Sequence, residues 1–411
     1  MVTTFFPPWS FGGDAVYVEQ LSLELARRGH EVHVVHCADA YLSLDPAGPR
    51  QRARREHPNL TVHTLRSRAG ILSPLVTQQT GRPGLKGRRL RQLLEGSPWD
   101  VIHYHNMSLM GLTALGWGSA VKLYTLHEYW LVCPMHVLWK FGREPCEEPA
   151  CIRCTLHGRR PPQLWRSTGL LQRSLRHVDR FLSGAAFATA RHRRAGLDLP
   201  FVDLPAFTIA EDDGATAPPH PTATDGPYFL FAGRLETIKG LHTILPVFRR
   251  RPQHRLLVAG DGSGARALSD AAGGAPNIAF LGRLPADELR ALYRGATAVV
   301  IPSLTYEIAP QVAIEAFHQG TPIIARDLGS LPEMAEGRGL LFHDDRSLED
   351  ALARLATDAG LRDRLARNAA QAARTIWDAD RHIARYLALI DEVRAERSAA
   401  APPGRPAYPR R

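Results

Sequence analysis

The fold is decided by two segments in the second half of the chain, which read FAGRLETIKG at residues 231–240 and SLTYEIAPQVAIEA at residues 303–316. Each segment follows or ends a short apolar run and continues into a helix-like pattern. Strand, loop and helix in this order are typical of a parallel sheet covered by helices on both faces. Because the carboxyl ends of parallel strands share one edge of a sheet, we expect the polar residues of both segments to meet there.

The alternation of strand and helix extends outward from these segments in both directions. A helix is predicted over about Asp14–Arg28, where apolar residues recur at helical spacing and Gly29 follows. Strands are predicted at EVHVVHC, LTVHTL, WDVIHYH and VKLYTLH in the first half and at YFLFAG, RLLVAG, NIAFLG, TAVVIPS and TPIIAR in the second. The sequence therefore predicts an α/β protein.

The length of 411 residues favours two domains, because single cores stop growing near about 250–300 residues. Residues 205–227 are rich in Pro, Ala, Thr, Asp and Gly, which is typical of a linker. We therefore assign residues 1–204 to an amino-terminal Rossmann-like domain and residues 228–375 to a carboxyl-terminal one. Residues 376–397 are expected to form a helix that crosses back to the first domain, and residues 398–411 a disordered tail.

Composition excludes several classes of protein. The chain is 44% hydrophobic and 22% charged, which does not fit a disordered protein, and no charge-free apolar run reaches the roughly 18 residues of a spanning helix. Pro7, Pro8 and Asp14 interrupt the stretch where the apolar core of a signal peptide would lie. We therefore expect a cytoplasmic protein, with peripheral contact to the inner face of the membrane as a further hypothesis.

The charged residues of the two segments suit a phosphorylated sugar ligand. Arg234 and Lys239 lie five residues apart between a predicted strand and a predicted helix, and each charge-assisted hydrogen bond to a diphosphate would contribute roughly 1.5–3 kcal/mol. Glu307 and Glu315 lie eight residues apart, so one carboxylate can face a sugar while the other takes a neighbouring pair of hydroxyls. The simpler alternatives are a solvated basic loop and two unrelated surface acids.

Together, these segments resemble the retaining glycosyltransferases of family 4. The resemblance rests on the order and spacing of FAGRLETIKG, LLVAGDGSG, IAFLGRLP, SLTYEIAPQVAIEAF and ARDLGSLPEM. In the first half, the glycine loop and first helix of the family are similar to FPPWSFGGDAVYVEQLSLELARRGHEVHVV. Strands of the family match WDVIHYHN and LYTLHEYWLVCP. The resemblance implies the GT-B architecture, in which two Rossmann-like domains face each other across a cleft.

The resemblance also implies roles for individual residues. Arg234 and Lys239 would hold the nucleotide diphosphate as it leaves. Glu307 would contact the donor sugar, and Glu315 the ribose. His127 would lie beside the transferred sugar, so that the implied catalytic set is His127, Arg234, Lys239 and Glu307. The further residues implied to bind the donor are Gly12, Gly13, Gly233, Gly260, Ile308 and Ala309.

Some residues depart from the family pattern or are ambiguous. Many members have Gly or Asn in the turn that here reads Ile308-Ala309-Pro310, and an apolar residue where Asp14 stands; we interpret Asp14 as a helix cap. The D-x-D motif at 378–380 lies at a predicted helix start and is also interpreted as a cap, so no catalytic metal is implied. Only one of His103 and His105 is expected to face the cleft.

Four of the five cysteines lie within 22 residues, at Cys133, Cys146, Cys151 and Cys154. Their spacing suits a structural zinc site with four sulfur ligands. Reduced cysteines, disulfides and an iron–sulfur cluster are the alternatives. Some family 4 members carry a similar cysteine-rich insertion, and we expect residues 133–160 to cap the acceptor side of the cleft.

The sequence therefore predicts a glycosyltransferase that moves a sugar from a nucleotide-diphosphate donor to an unidentified acceptor with retention of configuration. Its product would be a cell-envelope glycan, a glycolipid or a natural-product glycoside. A GT-B nucleotide-sugar epimerase and a zinc-containing nucleic-acid-binding protein are the alternatives. We expect no nucleic-acid partner, because the basic stretch Arg82–Arg91 has no interleaved aromatic residues.

The distribution of charge bears on the acceptor. The net charge is +10, with 26 Lys and Arg against 15 Asp and Glu in residues 1–200 and 25 against 26 in residues 201–411. Arginines cluster at Arg82–Arg91, Arg159–Arg160 and Arg191–Arg194. Because Arg pairs well with phosphate and carboxylate, we expect an anionic or lipid-linked acceptor, or an anionic membrane surface. A neutral soluble acceptor and a genomic bias toward Arg are the alternatives.

Overall fold

A computed structural model describes residues 1–49, 54–209 and 221–400 of the chain. The predicted linker lies partly outside the described residues, at 210–220, and the predicted tail lies outside them from residue 401 onward. Each half of the chain forms a parallel sheet with flanking helices. The predicted α/β fold class is confirmed.

The first half, up to residue 203, contains eight strands and seven α-helices among the described residues. The strands are β1 (Val32–Cys37), β2 (Leu60–Leu65), β3 (Val101–Tyr104), β4 (Val121–Thr125), β5 (Trp139–Lys140), β6 (Glu144–Pro145), β7 (Arg180–Ser183) and β8 (Phe201–Asp203). The helices are α1 (Gly13–Arg27), α2 (Ala38–Leu42), α3 (Leu72–Thr80), α4 (Gly87–Glu95), α5 (Cys151–His157), α6 (Leu170–Leu175) and α7 (Ala186–Arg194).

The strands of the first half form a doubly wound sheet. β3, β4, β7 and β8 are parallel neighbours in that order, and β1 pairs in parallel with β2. Val2 bridges Val35 of β1 and Tyr104 of β3, which joins the two groups. The chain therefore winds outward in both directions from the segment at Val2. β5 and β6 form a separate antiparallel pair inside the predicted cysteine-rich insertion.

The second half of the chain contains the remaining elements. Its strands are β9 (Tyr228–Ala232), β10 (Arg255–Ala259), β11 (Ile278–Gly282), β12 (Ala298–Ile301), β13 (Ile323–Arg326) and β14 (Gly339–Phe342). Its helices are α8 (Leu241–Arg250), α9 (Ala265–Ala272), α10 (Ala286–Gly295), α11 (Gln311–His318), α12 (Leu331–Ala335), α13 (Asp345–Thr357), α14 (Ala359–Thr375) and α15 (Ala379–Ala399). The six strands are all parallel, in the order β11-β10-β9-β12-β13-β14.

The order of the second sheet places a crevice between β9 and β12. Every residue of these two strands is buried, because helices cover both faces of the sheet. The chain winds away from β9 on one side and from β12 on the other, and ligands of such sheets bind outside the carboxyl ends of the strands at this switch point. The two sequence segments FAGRLETIKG and SLTYEIAPQVAIEA begin there.

Helix α15 returns to the first half of the chain. The Tyr17 hydroxyl of α1 donates to His382 Nε2 at 3.0 Å, and His382 Nδ1 donates to the Pro205 carbonyl at 2.8 Å. The Tyr386 hydroxyl lies 3.1 Å from His103 Nδ1. Asp378 caps the helix by accepting from the Arg381 amide at 2.9 Å, which confirms the cap interpretation of the D-x-D motif. None of the described helices is both long and apolar enough to cross a membrane.

We predict that Gly260 is required for the packing of the loops after β9 and β10. Its φ is +140°, and a Cβ atom there would lie 1.9 Å from the Gly233 carbonyl oxygen. Gly274 is a matched control, because its φ is +67° with no atom near the added Cβ. We expect Gly274→Ala to lower the free energy of unfolding by about 1 kcal/mol and Gly260→Ala to lower it by at least about 3 kcal/mol in denaturant titrations. Equal losses in the two variants would contradict this account.

Candidate active site

A cleft of about 500 Å³ lies between the two halves of the chain, at the carboxyl ends of both sheets. The residues from the first half that line it include the loop before α1 and the segment after β4. Those from the second half include the loops after β9 and β12. Of the site residues expected from the sequence, those that line the cleft are Gly12, Gly13, His127, Gly233, Arg234, Lys239, Glu307, Ile308, Ala309 and Glu315.

Lys239 and Glu307 form an ion pair in the cleft. Lys239 ends a short 3₁₀ turn after β9, and its Nζ lies 2.7 Å from Glu307 Oε1. The Ser303 hydroxyl donates to the same oxygen at 2.7 Å. Burial disfavours the charged carboxylate, but the Lys239 ammonium and these two hydrogen bonds outweigh it, so the pKa of Glu307 is lowered. The pair therefore joins the two sequence segments as Lys239⁺ and Glu307⁻.

Arg234 lies beside this pair at the end of β9. Its guanidinium Nη1 is 2.8 Å from Glu236 Oε1, and 44% of its side chain is exposed, so most of its donors remain available to a ligand. Gly233 lies between Arg234 and the strand with a φ of +148°. Gly260 was expected to bind the donor, but it is not among the described residues that line the cleft. It packs against the backbone of Gly233, in the loop after β9.

Glu315 lies within α11, at the side of the cleft. The Tyr293 hydroxyl donates to Glu315 Oε2 at 2.8 Å, and burial raises the pKa of Glu315. The helix begins at Gln311, with Pro310 at its N-cap, so Ile308 and Ala309 belong to the loop in front of it. Helix α11 therefore presents its amino terminus, the positive end of its dipole, toward the same space.

The amino terminus of α1 faces the cleft from the first half of the chain. The N-cap is Gly12, and an added Cβ at Gly13 would lie 3.2 Å from the Gln311 side chain of α11. The interpretation of Asp14 as the cap was wrong, because Asp14 is the second residue of the helix. Its Oδ1 accepts from the Ala15 amide at 2.9 Å and its Oδ2 from Asn106 Nδ2 at 3.3 Å. The side chain lines the cleft, which its sequence position alone did not indicate.

His127 lies two residues beyond β4 and contacts a buried neighbour. His105 Nδ1 is 3.0 Å from His127 Nε2. The ring of His103 lies 4.0 Å from that of His105, and neither residue is among the described residues that line the cleft, so the expectation that one of the two faces it gains no support. Residues two apart on a strand share a face, and both rings point to the same side of β3. Burial lowers the pKa of His127 to about 4, and this ring is neutral near pH 7.

The hydrogen bond between the two rings selects a tautomer of His127. His105 Nε2 is buried without a partner among the described residues. If His127 donated to His105 Nδ1, the proton of His105 would sit on Nε2 as a buried N–H with no acceptor, which is rarer and more costly than a bare nitrogen. The favoured arrangement has His105 Nδ1–H donating to His127 Nε2. His127 then carries its own proton on Nδ1, at the cleft.

The predicted cysteine-rich insertion contributes to the rim of the cleft. Glu128 and His136 both line it and form a 2.8 Å pair. Further along, the Glu147 carboxylate accepts from the Tyr306 hydroxyl and pairs with Arg191 Nη1 at 2.8 Å. Tyr306 directly precedes Glu307. The insertion therefore contacts the loop after β12 through Glu147, and neither Glu128 nor Glu147 had a sequence signal beyond its proximity to the cysteines.

The structure does not support the zinc site expected at the cysteines. Among the residues of the described ranges, no group of three or more His, Cys, Asp and Glu side chains is arranged to hold a metal ion. The cysteines are free thiols, Cys133 is buried, and Cys154 Sγ accepts from the Phe141 amide at 3.3 Å. The insertion is held by the β5–β6 pair, by the contacts of Glu147 and by buried Leu138.

Comparison with known proteins is consistent with this geometry. The model of Glycosyltransferase Family 4 matches residues 11–200, and that of Glycosyl transferases group 1 matches residues 214–372. The chain is 27% identical over 367 residues to the D-inositol 3-phosphate glycosyltransferase of Mycolicibacterium smegmatis, a match that covers 82% of this chain and 76% of that protein.

Two solved structures share the fold over nearly their whole length. Sucrose-phosphate synthase from Thermosynechococcus elongatus matches with a TM-score of 0.72 and 21% identity, covering 96% of this chain and 98% of that one. HepE from Anabaena, solved in complex with UDP, matches with a TM-score of 0.61 and 17% identity, covering 97% of this chain and 99% of that one. Fold and family models together define a glycosyltransferase of the GT-B class. The chain belongs to the GT-B glycosyltransferases, with a family 4-like first half and a group 1 second half.

We predict that His127 is in the Nδ1–H tautomer in the wild-type protein and that His105 sets this state. His105→Asp places a carboxylate, which can only accept, at the position of Nδ1, so His127 should move its proton to Nε2. His105→Asn keeps a donor there and should retain the wild-type tautomer. The ¹³C and ¹⁵N shifts of the His127 ring, assigned with His127→Asn, report the tautomer directly. An Nε2–H tautomer in the wild-type protein would contradict the proton assignment.

Proposed function

We propose that the chain transfers a sugar from a nucleotide-diphosphate donor to an acceptor hydroxyl with retention of the anomeric configuration. The observation that carries the proposal is the Lys239–Glu307 pair beside Arg234, in a cleft at the carboxyl ends of two parallel strands. The solved complex of Anabaena HepE with UDP supports a uridine diphosphate group as the first donor to test.

The donor diphosphate would be neutralised by the two cations. The Lys239 ammonium has three N–H donors, and its pair with Glu307 occupies one of them. The other two, with the exposed donors of Arg234, can bond the phosphate oxygens. Cations fixed where negative charge develops lower the barrier to departure of the leaving group, because no reorganisation is needed at the moment of reaction.

The carboxylates would position the two sugars of the donor. Glu307 is held by Lys239 and Ser303, and its second oxygen Oε2 is free of these bonds, so it can accept from hydroxyls of the transferred sugar. Glu315 would accept from the ribose with Oε1, since its Oε2 already accepts from Tyr293. The Nδ1–H of His127 would donate to the transferred sugar from the opposite wall.

The transfer step would take place on one face of the sugar. The bond between the anomeric carbon and the phosphate oxygen breaks, and the electron pair leaves with the diphosphate. The acceptor oxygen forms the new bond from the same side, and its proton passes to the departing phosphate. Retention follows without a covalent enzyme intermediate, which would require a carboxylate against the opposite face of the anomeric carbon.

The acceptor would present hydroxyl groups to the cleft. The described residues that line it from the first half of the chain include no Lys or Arg, and the acids among them are Asp14 and Glu128. Carboxylates accept from hydroxyls and repel phosphate. The anionic acceptor expected from the arginine clusters therefore gains no support from the lining of the cleft, and we propose a hydroxyl-rich sugar or cyclitol as the group that enters it.

The donor proposal can be tested by ligand-induced stabilisation and product analysis. A nucleotide sugar that binds the folded protein raises its melting temperature by mass action, so a panel of nucleotide sugars, beginning with UDP-glucose, should give a selective shift. The selected donor is then incubated with neutral sugars and cyclitols, and the anomeric configuration of the product is read by NMR. Conversion of the nucleotide sugar to its epimer without any acceptor would instead establish the epimerase alternative.

We predict that Lys239→Ala and Glu307→Ala each lower the transfer rate by about 10²–10³, because each removes a group fixed against the reacting donor. Glu336→Gln is the control, since this carboxylate is exposed and remote from the cleft lining. Melting temperatures show whether each variant is folded. Wild-type turnover by both cleft variants would refute the assignment of the site.

A further inference from the structure

Helix α3 carries apolar side chains on its outer surface. Leu72 and Leu75 are 54% and 44% exposed, whereas Ser73 and Thr77 of the same helix are buried. A helix that packs on a core by hydrophobic burial shows the opposite arrangement. The exposed side of α3 is therefore not explained by the packing of the domain.

Neighbouring segments extend this apolar surface. The Gln78 side chain of α3 donates to the Pro161 carbonyl at 3.2 Å, and Trp165 Nε1 donates to the Gln78 carbonyl at 2.9 Å, so residues 161–165 lie against the helix. An added Cβ at Gly84 would lie 2.9 Å from Val76, which places the turn at 84–86 beside it as well. Of the twelve large hydrophobic side chains exposed in the described part of the chain, eight belong to residues 71–164.

Basic residues are concentrated in the segments of the chain that carry the apolar surface. Segments 57–94 and 149–178 contain 13 Lys and Arg and no Asp or Glu. Most of these cations are exposed. We define the α3 face as the exposed apolar residues Ile71, Leu72, Leu75, Val76, Leu85 and Leu164 with the exposed arginines Arg82, Arg88, Arg89, Arg159 and Arg160.

We propose that the α3 face docks on an anionic lipid bilayer. Aliphatic side chains of an amphipathic surface enter the boundary between headgroups and acyl chains, and arginines pair with the lipid phosphates. A bilayer matches both kinds of residue on the α3 face, because it has an apolar layer for the aliphatic side chains below a dense layer of negative charge for the arginines. This inference stands apart from the proposed transfer reaction, because the residues of the α3 face do not line the cleft.

A nucleic acid is the other polyanion that such a face would attract. Single-stranded nucleic acids are bound by aromatic side chains that stack on the bases, among basic residues. The exposed large hydrophobic residues of the described ranges are all aliphatic. Aliphatic residues at the centre of the face would be buried against a bilayer but would stay solvated on a nucleic acid, so the structure favours the bilayer.

The test is co-sedimentation of the full chain with vesicles of phosphatidylcholine alone and of phosphatidylcholine with phosphatidylglycerol. We expect binding to the anionic vesicles only, and weaker binding at high salt, because salt screens the attraction of the arginines. Basic residues near such a surface contribute about fivefold each in affinity, so Arg88→Glu with Arg89→Glu should weaken binding by at least about 25-fold. Ile71→Ser with Leu72→Ser should weaken it by at least about tenfold.

Matched controls separate the α3 face from general effects of charge and hydrophobicity. Arg364→Glu with Arg367→Glu reverses two exposed arginines on α14, in the other half of the chain. Leu341→Ser with Ile376→Ser removes two apolar residues of similar exposure, 39% and 41%. Both control pairs should bind the anionic vesicles like the wild-type protein. The melting temperature of each variant shows that it is folded.

Three outcomes would overturn the proposal. The first is equal sedimentation of the wild-type protein with neutral and anionic vesicles at low salt. The second is a loss of binding in the arginine variant without any loss in the apolar variant. The α3 face would then bind anionic vesicles by charge alone, without inserting its apolar residues. The third is tight binding to single-stranded RNA with no binding to vesicles.

Discussion

Helix α15 holds the two sheets in the orientation on which the cleft depends. It is the last helix of the second half, yet its buried side chains bond Tyr17 and His103 of the first half and the carbonyl of Pro205. Burial lowers the pKa of His382 to about 4, so these bonds join neutral groups and need no buried charge. Ion pairs along the exposed side of the helix, such as Arg397 with Asp179 at 2.7 Å, add to the contact between α15 and the first half of the chain. Both sheets can then present their carboxyl ends to one space.

Within that space, the Lys239–Glu307 pair couples the two donor-side loops. The pair is partly buried, and removing either member would leave the other charge without its partner in the cleft. The loop after β9 and the loop after β12 therefore depend on each other for their geometry as well as for their chemistry. Tyr306 extends the coupling across the cleft, because it precedes Glu307 in the chain and its hydroxyl donates to Glu147 of the insertion. The loop after β12 and the insertion are thus mechanically linked.

The sequence predicted the strands that have continuous apolar runs, because a strand buried on both faces must be apolar along its length. It missed β5, β6, β7, β8 and β14, which are two to four residues long and lie among charged or Gly-containing segments. The Arg234, Lys239 and Glu307 set was found because it follows such strands within a few residues. Asp14 and Glu128 were not identified as site residues from the sequence, because each reaches the cleft only through tertiary packing. The zinc site expected at the four cysteines stays a prediction, because spacing in sequence does not by itself fix the geometry of four sulfur atoms.

The charges of the molecule are separated in a way that the net charge of +10 conceals. Cations meet the cleft from the second half, at Arg234 and Lys239, although that half carries no net excess of Lys and Arg. The first half holds the whole excess, yet it presents Asp14 and Glu128 to the cleft and its arginines to the outer surface. Under the proposed function, Arg234 and Lys239 would bind the diphosphate from one wall, and the carboxylates of the opposite wall would repel it. The arginines of the α3 face lie outside the cleft and cannot bind the donor there, which is why we propose a separate role for them in docking on an anionic bilayer.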